Sequence, residues 1–314
     1  MFLVLLAVTL IISNLIFGNL VLKKHNNTPN TPMNFVIKII SPKIDLKRFF
    51  DGTDPSLVIK DLAELGNTDN KKDAVYIYPE GILPSINLNE IQDLSLVFKN
   101  YFQDNHKIII GITRYKETEI FNSMALLDND LKLISVYDKN KLVPFGEYLP
   151  FENFLKNYGF KKITQGYQSF SSASERDFIK VNDTKFLPLI CYEIIYSGAL
   201  VKKSENYDFI VNISEDGWFG ESIGIDQHFF HSVFRSIEEG KNIIRSANNG
   251  ISAYIDSKGQ IIKKIESTQK GVIEIEAYKK GSKTVFSSFG NKIFFYFLIF
   301  YITFIFLFKI RERQ

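Results

Sequence analysis

The chain has 314 residues, a formal net charge of +3 and a hydrophobic fraction of 45%, enough for one substantial core. Charged residues are 23% of the total, which excludes a disordered chain, and no basic run reaches the length of a nucleic-acid-binding tail. The single cysteine, Cys191, excludes an internal disulfide and a multi-cysteine zinc site.

Polarity is unevenly spread. Neither Met1 to Leu22 nor Ile293 to Phe308 carries a charged side chain, and each run approaches the ~20 residues needed to cross ~30 Å of hydrocarbon. The chain therefore divides into a transmembrane helix over residues 1–22, a globular α/β domain over 33–285 and a second transmembrane helix over 293–310. The first run has neither a basic leader nor a small-residue cleavage pattern, so a retained helix is favoured over a signal peptide. Lys292 and Lys309 flank the second run and can snorkel. The tail Lys309, Arg311, Arg313 favours a cytoplasmic C-terminus, whereas Lys23 and Lys24 favour the opposite orientation.

Between the ends, strand-like and helix-like segments alternate. Phe35 to Ile40 reads as a strand closed by Ser41-Pro42. Asp54-Pro55 forms an N-cap with proline at N1, followed by Val58, Leu62 and Leu65 at helical spacing before Gly66. Ala74 to Tyr78 is a second strand, followed by a helix over Glu90 to Phe102 and a strand over Lys107 to Ile112. Phe121 to Leu127 and Leu131 to Tyr137 flank the turn Asp128-Asn129-Asp130 as a hairpin. Phe186 to Ile190 and Asp208 to Ile213 are short apolar strands. Gln227 to Glu239 is a helix with Phe230, Phe234 and Ile237 on one face. Ile251 to Ile255 and Gln260 to Ile265 form a last hairpin, and Val272 to Ile275 one more strand.

Three polar segments follow apolar strands. Cys191 stands directly after Leu187-Pro188-Leu189-Ile190, at a turn into a helix over Ile194 to Leu200, where neighbouring amides favour a thiolate and an oxyanion. Glu80 follows Tyr76-Ile77-Tyr78-Pro79, a placement that suits a general base. Lys139 opens Lys139-Asn140-Lys141-Leu142-Val143-Pro144-Phe145-Gly146-Glu147-Tyr148, where it can donate to an oxyanion with Glu147 fixing it. Each segment alone also fits a plain role: an inert buried thiol, a solvated loop acid, a surface lysine–glutamate pair. His228 and His231 stand at i, i+3, with no cysteine or third histidine near enough to complete a metal site.

Together these segments resemble the nitrilase, or carbon-nitrogen hydrolase, superfamily, whose members share a Glu–Lys–Cys triad. Asp216-Gly217-Trp218-Phe219-Gly220, Gln227-His228 and Arg245-Ser246-Ala247-Asn248-Asn249-Gly250 narrow the resemblance to its apolipoprotein N-acyltransferase family. The resemblance spans about residues 35 to 290 and implies an αββα sandwich on the outer face of a bacterial inner membrane. It implies Glu80 as base, Lys139 as oxyanion donor and Cys191 as the nucleophile that carries a thioester. Glu147, Tyr192 and Glu193 become supporting residues, and Trp218 and Phe219 substrate-binding ones. The substrates implied are a phospholipid acyl donor and an apolipoprotein acceptor, with no metal or organic cofactor.

The chain departs from the family pattern at Tyr78 (usually Trp), Gly81 (Ser or Thr), Glu215 (Asn) and Ile225 (Pro). It also shows one helix ahead of the domain where the family has several, which leaves room for a separate chain carrying the others. Two other readings stay open: a membrane-anchored amidase resolved by water, and an inactive or partner-dependent remnant.

Overall fold

Apolar side chains alternating along the central strands build two six-stranded sheets among the residues described by the computed structural model, 2–68, 72–151, 169–198, 200 and 206–311. The first sheet holds β1 (Thr31–Ser41), β2 (Ala74–Ile77), β3 (His106–Lys116), β4 (Glu119–Asp128), β5 (Leu133–Asp138) and β12 (Gly271–Tyr278), in the order β12-β1-β2-β3-β4-β5. The second holds β6 (Ile179–Val181), β7 (Thr184–Ile190), β8 (Phe209–Glu215), β9 (Asn242–Asn248), β10 (Ser252–Ile255) and β11 (Ile261–Ile265), in the order β11-β10-β9-β8-β7-β6. Each sheet has a parallel centre, β1-β2-β3 and β7-β8-β9, with antiparallel strands outside it.

The two-residue period of a strand sorts the core. Phe35, Ile37, Ile39, Val75 and Ile77 point toward Phe186, Ile190, Phe209, Val211 and Ile213, filling the space between sheets. Val36, Ile40, Ala74 and Tyr76 face outward onto helix α2 (Pro55–Gly66) and helix α3 (Ser95–Lys99). Leu187, Leu189 and Ile210 pack against α4 (Gly224–Glu239) on the far side. The architecture is the expected αββα sandwich. Parallel strands covered on both faces need continuous apolar runs, which is what these segments supply.

The expected helix after Asp54 is present, with the Asp54 carboxylate accepting from the Ser56 amide. Its far end is closed by a lysine in mid-strand. Lys38 is fully buried on β1 and donates to the Gly66 and Asn67 carbonyls at 2.8 and 3.1 Å, groups left without helical partners.

Several expectations are corrected. The helix over 90–102 is a 3-10 turn, Ile91–Leu94, followed by the short α3, with Ile91, Phe98 and Phe102 as its buried anchors. No helix runs over 194–200: a 3-10 turn, Cys191–Ile195, ends at Tyr196 in extended backbone, and Gly198 takes a φ of +69° (residue 199 lies outside the described residues). Helix α4 forms as expected, with Phe230, Phe234 and Ile237 on one face, and that face is turned outward and half-exposed. Its buried face is His228, Phe229, Ser232, Arg235, Ser236 and Glu239. The reason is polar: His228, Arg235 and Glu239 have hydrogen-bond partners beneath the helix, and these decide which side turns in.

The N-terminal helix α1 covers Phe2–Asn26, and its segment from Val4 to Asn26 is long and apolar enough to cross a membrane. Its end is fastened to the domain by His25, buried and 3.0 Å from Asp256. A short helix, α5 (Val285–Phe289), leads into α6 (Lys292–Arg311), whose apolar stretch Lys292–Leu307 is shorter than α1's. Arg313 of the basic tail lies outside the described residues.

Replacing Lys38 by methionine keeps the apolar stem and removes the donor to both carbonyls. Denaturant unfolding of the detergent-solubilised protein should show a loss of about 1–2 kcal/mol; an unchanged midpoint would refute the capping role.

Candidate active site

The polar residues predicted from the sequence emerge at the carboxyl ends of strands, where parallel sheets present their functional loops. Glu80 lies just past β2, Lys139 directly after β5, and Cys191 directly after β7. The first two belong to one sheet and the cysteine to the other, so packing of the sheets brings them together.

Lys139 is almost fully buried between two carboxylates. Its Nζ stands 2.9 Å from Glu147 Oε1 and 3.6 Å from Glu80 Oε1. Asn122, from the middle of β4, donates to the same two oxygens at 2.7 and 2.8 Å. The outer oxygens are also held: Glu147 Oε2 accepts from the Val143 amide at 2.8 Å, and Glu80 Oε2 from the Glu215 amide at 3.1 Å. Burial lowers the Lys139 ammonium, but Glu147 and Glu80 outweigh it and hold it well above its ordinary value. A lysine so placed is a fixed positive charge.

Cys191 keeps partial exposure, yet protein surrounds its thiol closely enough that burial raises it well above its ordinary value. Glu80 and Asp216 add to the rise, while Lys139 and Ser214 oppose it. The resting group is therefore a thiol. A thiol beside a carboxylate and a buried ammonium can act as a nucleophile when the carboxylate takes its proton as it attacks. The Cys191 backbone has a φ of +50°, the left-handed region that a non-glycine residue occupies at a cost of about 1–3 kcal/mol.

Glu193 ties the cysteine turn to the lysine loop. Its Oε2 accepts from the Ile190 amide at 2.9 Å, and its Oε1 from Asn140 and Lys141 amides at 3.0 and 3.1 Å. Tyr137 and Arg176 donate to Oε1 as well, at 2.6 and 2.9 Å. Of the two acids expected to support the site, Glu147 pairs with Lys139 itself, and Glu193 holds the residues on either side, Ile190 and Asn140. Tyr192 lies beside Cys191 with its ring 5.5 Å from Tyr196. Trp218 and Phe219 form the exposed lip of a 3-10 turn, Asp216–Phe219, with Trp218 5.3 Å from Phe49 and Phe219 5.4 Å from His228.

A second buried cluster supports the turn from behind. His228 Nε2 is 3.1 Å from the Cys191 carbonyl, an acceptor only, so this nitrogen carries a proton. His228 Nδ1 and Ser214 Oγ both meet Asp216 Oδ1, at 2.9 and 2.7 Å, and Arg245 meets Asp216 Oδ2 at 2.6 Å. Gly250 touches this cluster so closely that a Cβ there would lie 2.1 Å from Asp216 Oδ2. Gly111 on β3 crowds Glu80 in the same way, since a Cβ there would lie 2.5 Å from Glu80 Cα. Asn122, Arg48 and Ser214 stand in no recognisable motif of the sequence. Asn122 left one signal, a polar residue inside an apolar strand, whereas Arg48, next to Lys47, reads as a solvated charge.

Residues 101–277, more than half of the chain, match the carbon-nitrogen hydrolase family. The chain belongs to that family. Among its relatives is an apolipoprotein N-acyltransferase of Rhizobium rhizogenes, 33% identical over 251 residues, covering 76% of this chain and 47% of that protein. An apolipoprotein N-acyltransferase of Brucella melitensis is 30% identical over 280 residues, covering 86% of this chain and 52% of the other. The chain spans about half the length of the curated relatives it matches. Among solved structures, a CN-hydrolase superfamily protein of Xanthomonas campestris superposes with a TM-score of 0.53 at 15% identity, covering 78% of this chain and 91% of that one. A carbon-nitrogen hydrolase of Helicobacter pylori gives 0.56 at 12% identity, covering 77% and 89%. These structures share the hydrolase sandwich described above.

Burial alone would raise Asp216, but Arg245, His228 and Ser214 take it down to about 2. Its contribution to stability is therefore present above the unfolded value near 3.8 and drains away as pH falls toward about 2. The difference in unfolding free energy between wild type and Asp216→Asn should narrow by roughly 2 kcal/mol between about pH 6 and pH 2. Denaturant titrations across that range would show it, and a pH-independent gap would refute it.

Proposed function

We propose that this chain is a membrane-bound acyltransferase that moves a fatty acyl chain from phospholipid to the amino-terminal diacylglyceryl-cysteine of apolipoproteins. The observation that carries the reading is the buried Glu80–Lys139–Glu147 cluster beside a strained, half-buried Cys191. The names of the relatives and the apolar helix α1 support the lipid assignment.

In the first half-reaction Glu80 takes the thiol proton as the sulfur attacks the ester carbonyl carbon. Lys139 and an amide of the turn after Cys191 stabilise the oxyanion. The carbon–oxygen bond then breaks, Glu80 returns the proton to the departing lysophospholipid oxygen, and a thioester remains. In the second half, the acceptor's α-amine attacks that carbonyl and gives a proton to Glu80. The carbon–sulfur bond breaks and the sulfur recovers the proton. Glu147 and Glu193 hold Lys139 and the cysteine turn in place, and Trp218 and Phe219 offer apolar surface to the substrates. Helices α1 and α6 hold the domain against the outer face of the inner membrane, raising the effective concentration of both lipids.

Intact-mass spectra of the purified protein in phospholipid micelles should show one acyl adduct on Cys191, absent in Cys191→Ser. In Glu80→Ala its formation should slow by about a hundredfold or more. A diacylglyceryl-cysteine peptide should discharge the adduct into an amide. Discharge by water at the same rate with and without the peptide would favour the amidase reading, and no adduct on the wild type would sink the acyltransferase one.

A further inference from the structure

Glu215 departs from the family pattern, and the structure shows what answers it. Arg48, from the 3-10 turn Leu46–Phe49, pairs with the Glu215 carboxylate at close range, both side chains 1% exposed. Arg48 is otherwise spent on backbone: its Nε donates to the Gly81 carbonyl at 3.1 Å, and its Nη1 to the Ile44 and Asp45 carbonyls at 3.3 and 3.1 Å. The Phe49 ring presses on Gly81, where a Cβ would meet it at 2.9 Å. Glu215 ends β8 in the opposite sheet. Its carboxylate also accepts from Asn248 at 2.7 Å, Asn249 at 3.2 Å and the Gly217 amide at 2.9 Å, and its own amide donates to Glu80 Oε2 at 3.1 Å.

The pair therefore spans the two sheets at the point where Glu80 must face Cys191. Arg48 grips the residue after Glu80 through its carbonyl, and Glu215 grips Glu80 itself through its amide. A buried ion pair is seldom a net stabiliser compared with an apolar pair of the same volume. A geometric role accounts for its place between the loops. We propose that Arg48 and Glu215 are positioning residues that lock the Glu80 carboxylate of one sheet against the Cys191 turn of the other. The proposal rests on the reading of Glu80 as the base for Cys191.

Because Cys191 is the chain's single cysteine, its alkylation by iodoacetamide reports this geometry without any lipid substrate. Proton transfer to an aligned carboxylate gives a rate that is nearly flat over about pH 6 to 9. Without it the thiolate forms against solvent, and the rate climbs close to tenfold per pH unit. The full chain in detergent is compared as wild type, Glu80→Gln, Arg48→Met and the double variant Arg48→Met/Glu215→Gln, with Tm recorded for each. Arg48→Met leaves Glu215 buried and unpaired, so its Tm falls. The double variant leaves no buried charge without a partner, and its Tm returns toward wild type.

The double variant should nevertheless alkylate roughly tenfold or more slowly at pH 7, with the climbing profile of Glu80→Gln. A flat, wild-type profile in the folded double variant overturns the positioning role and leaves Glu80 as base untouched. A flat profile in Glu80→Gln overturns both. Should the double variant fail to fold, Arg48→Lys, which keeps the charge opposite Glu215 while losing the bond to Gly81, decides the matter by the same criterion.

Discussion

The site depends on one unequal balance: two carboxylates, Glu80 and Glu147, share a single buried ammonium, Lys139. A charge removed from water is tolerated only when partners replace its hydration. Lys139 has them, and so do both acids, because Asn122 donates to each and backbone amides take the outer oxygens. Burial first, and then the charges of Glu80 and Asp216, raise the Cys191 thiol above its ordinary value against the opposing pull of Lys139. A thiol so held can attack a carbonyl only as its proton leaves. A thiolate formed in advance would repel Glu80 and would be open to oxidation and alkylation.

Holding such a balance requires rigid surroundings, which the polar residues of the second sheet supply. Glu193 joins the amide of Ile190 to those of Asn140 and Lys141, so the cysteine turn and the lysine loop cannot move apart independently. Asp216, Arg245 and His228 do the same for the carbonyl of Cys191. These contacts explain why α4 turns a polar face inward. The helix is oriented by the hydrogen bonds of His228, Arg235 and Glu239, whose loss would leave buried polar groups unsatisfied, a larger cost than leaving Phe230, Phe234 and Ile237 half-exposed.

Much of this was legible in the sequence because it is local. The strands ending at Ile77 and Ile190 are short apolar runs with a polar residue shortly beyond, and the Asp54-Pro55 cap sits next to the helix it starts. The motifs around Glu80, Lys139 and Cys191 could be read for the same reason. What escaped was set by contacts between distant residues. Lys38 is a buried charge because Gly66 and Asn67 end a helix beside it. Arg48 and Asn122 acquire their partners only when loops about 170 and about 40 residues away close on them. The outward turn of α4 escaped too, since its apolar spacing says which residues share a face and not which face is buried.

The strained backbone of Cys191 ties these levels together. A left-handed cysteine persists only where its neighbours over-determine it. Here the preceding amide is held by Glu193, its own carbonyl is held by His228, and the chain after the 3-10 turn is pinned at Ser197 and Gly198. The last of these pins is Asn291, one residue before α6: it donates to the Ser197 carbonyl, and Gly290 packs on Gly198. The apolar C-terminal helix is therefore fastened six residues from the cysteine by direct hydrogen bonding, and not merely through the body of the domain.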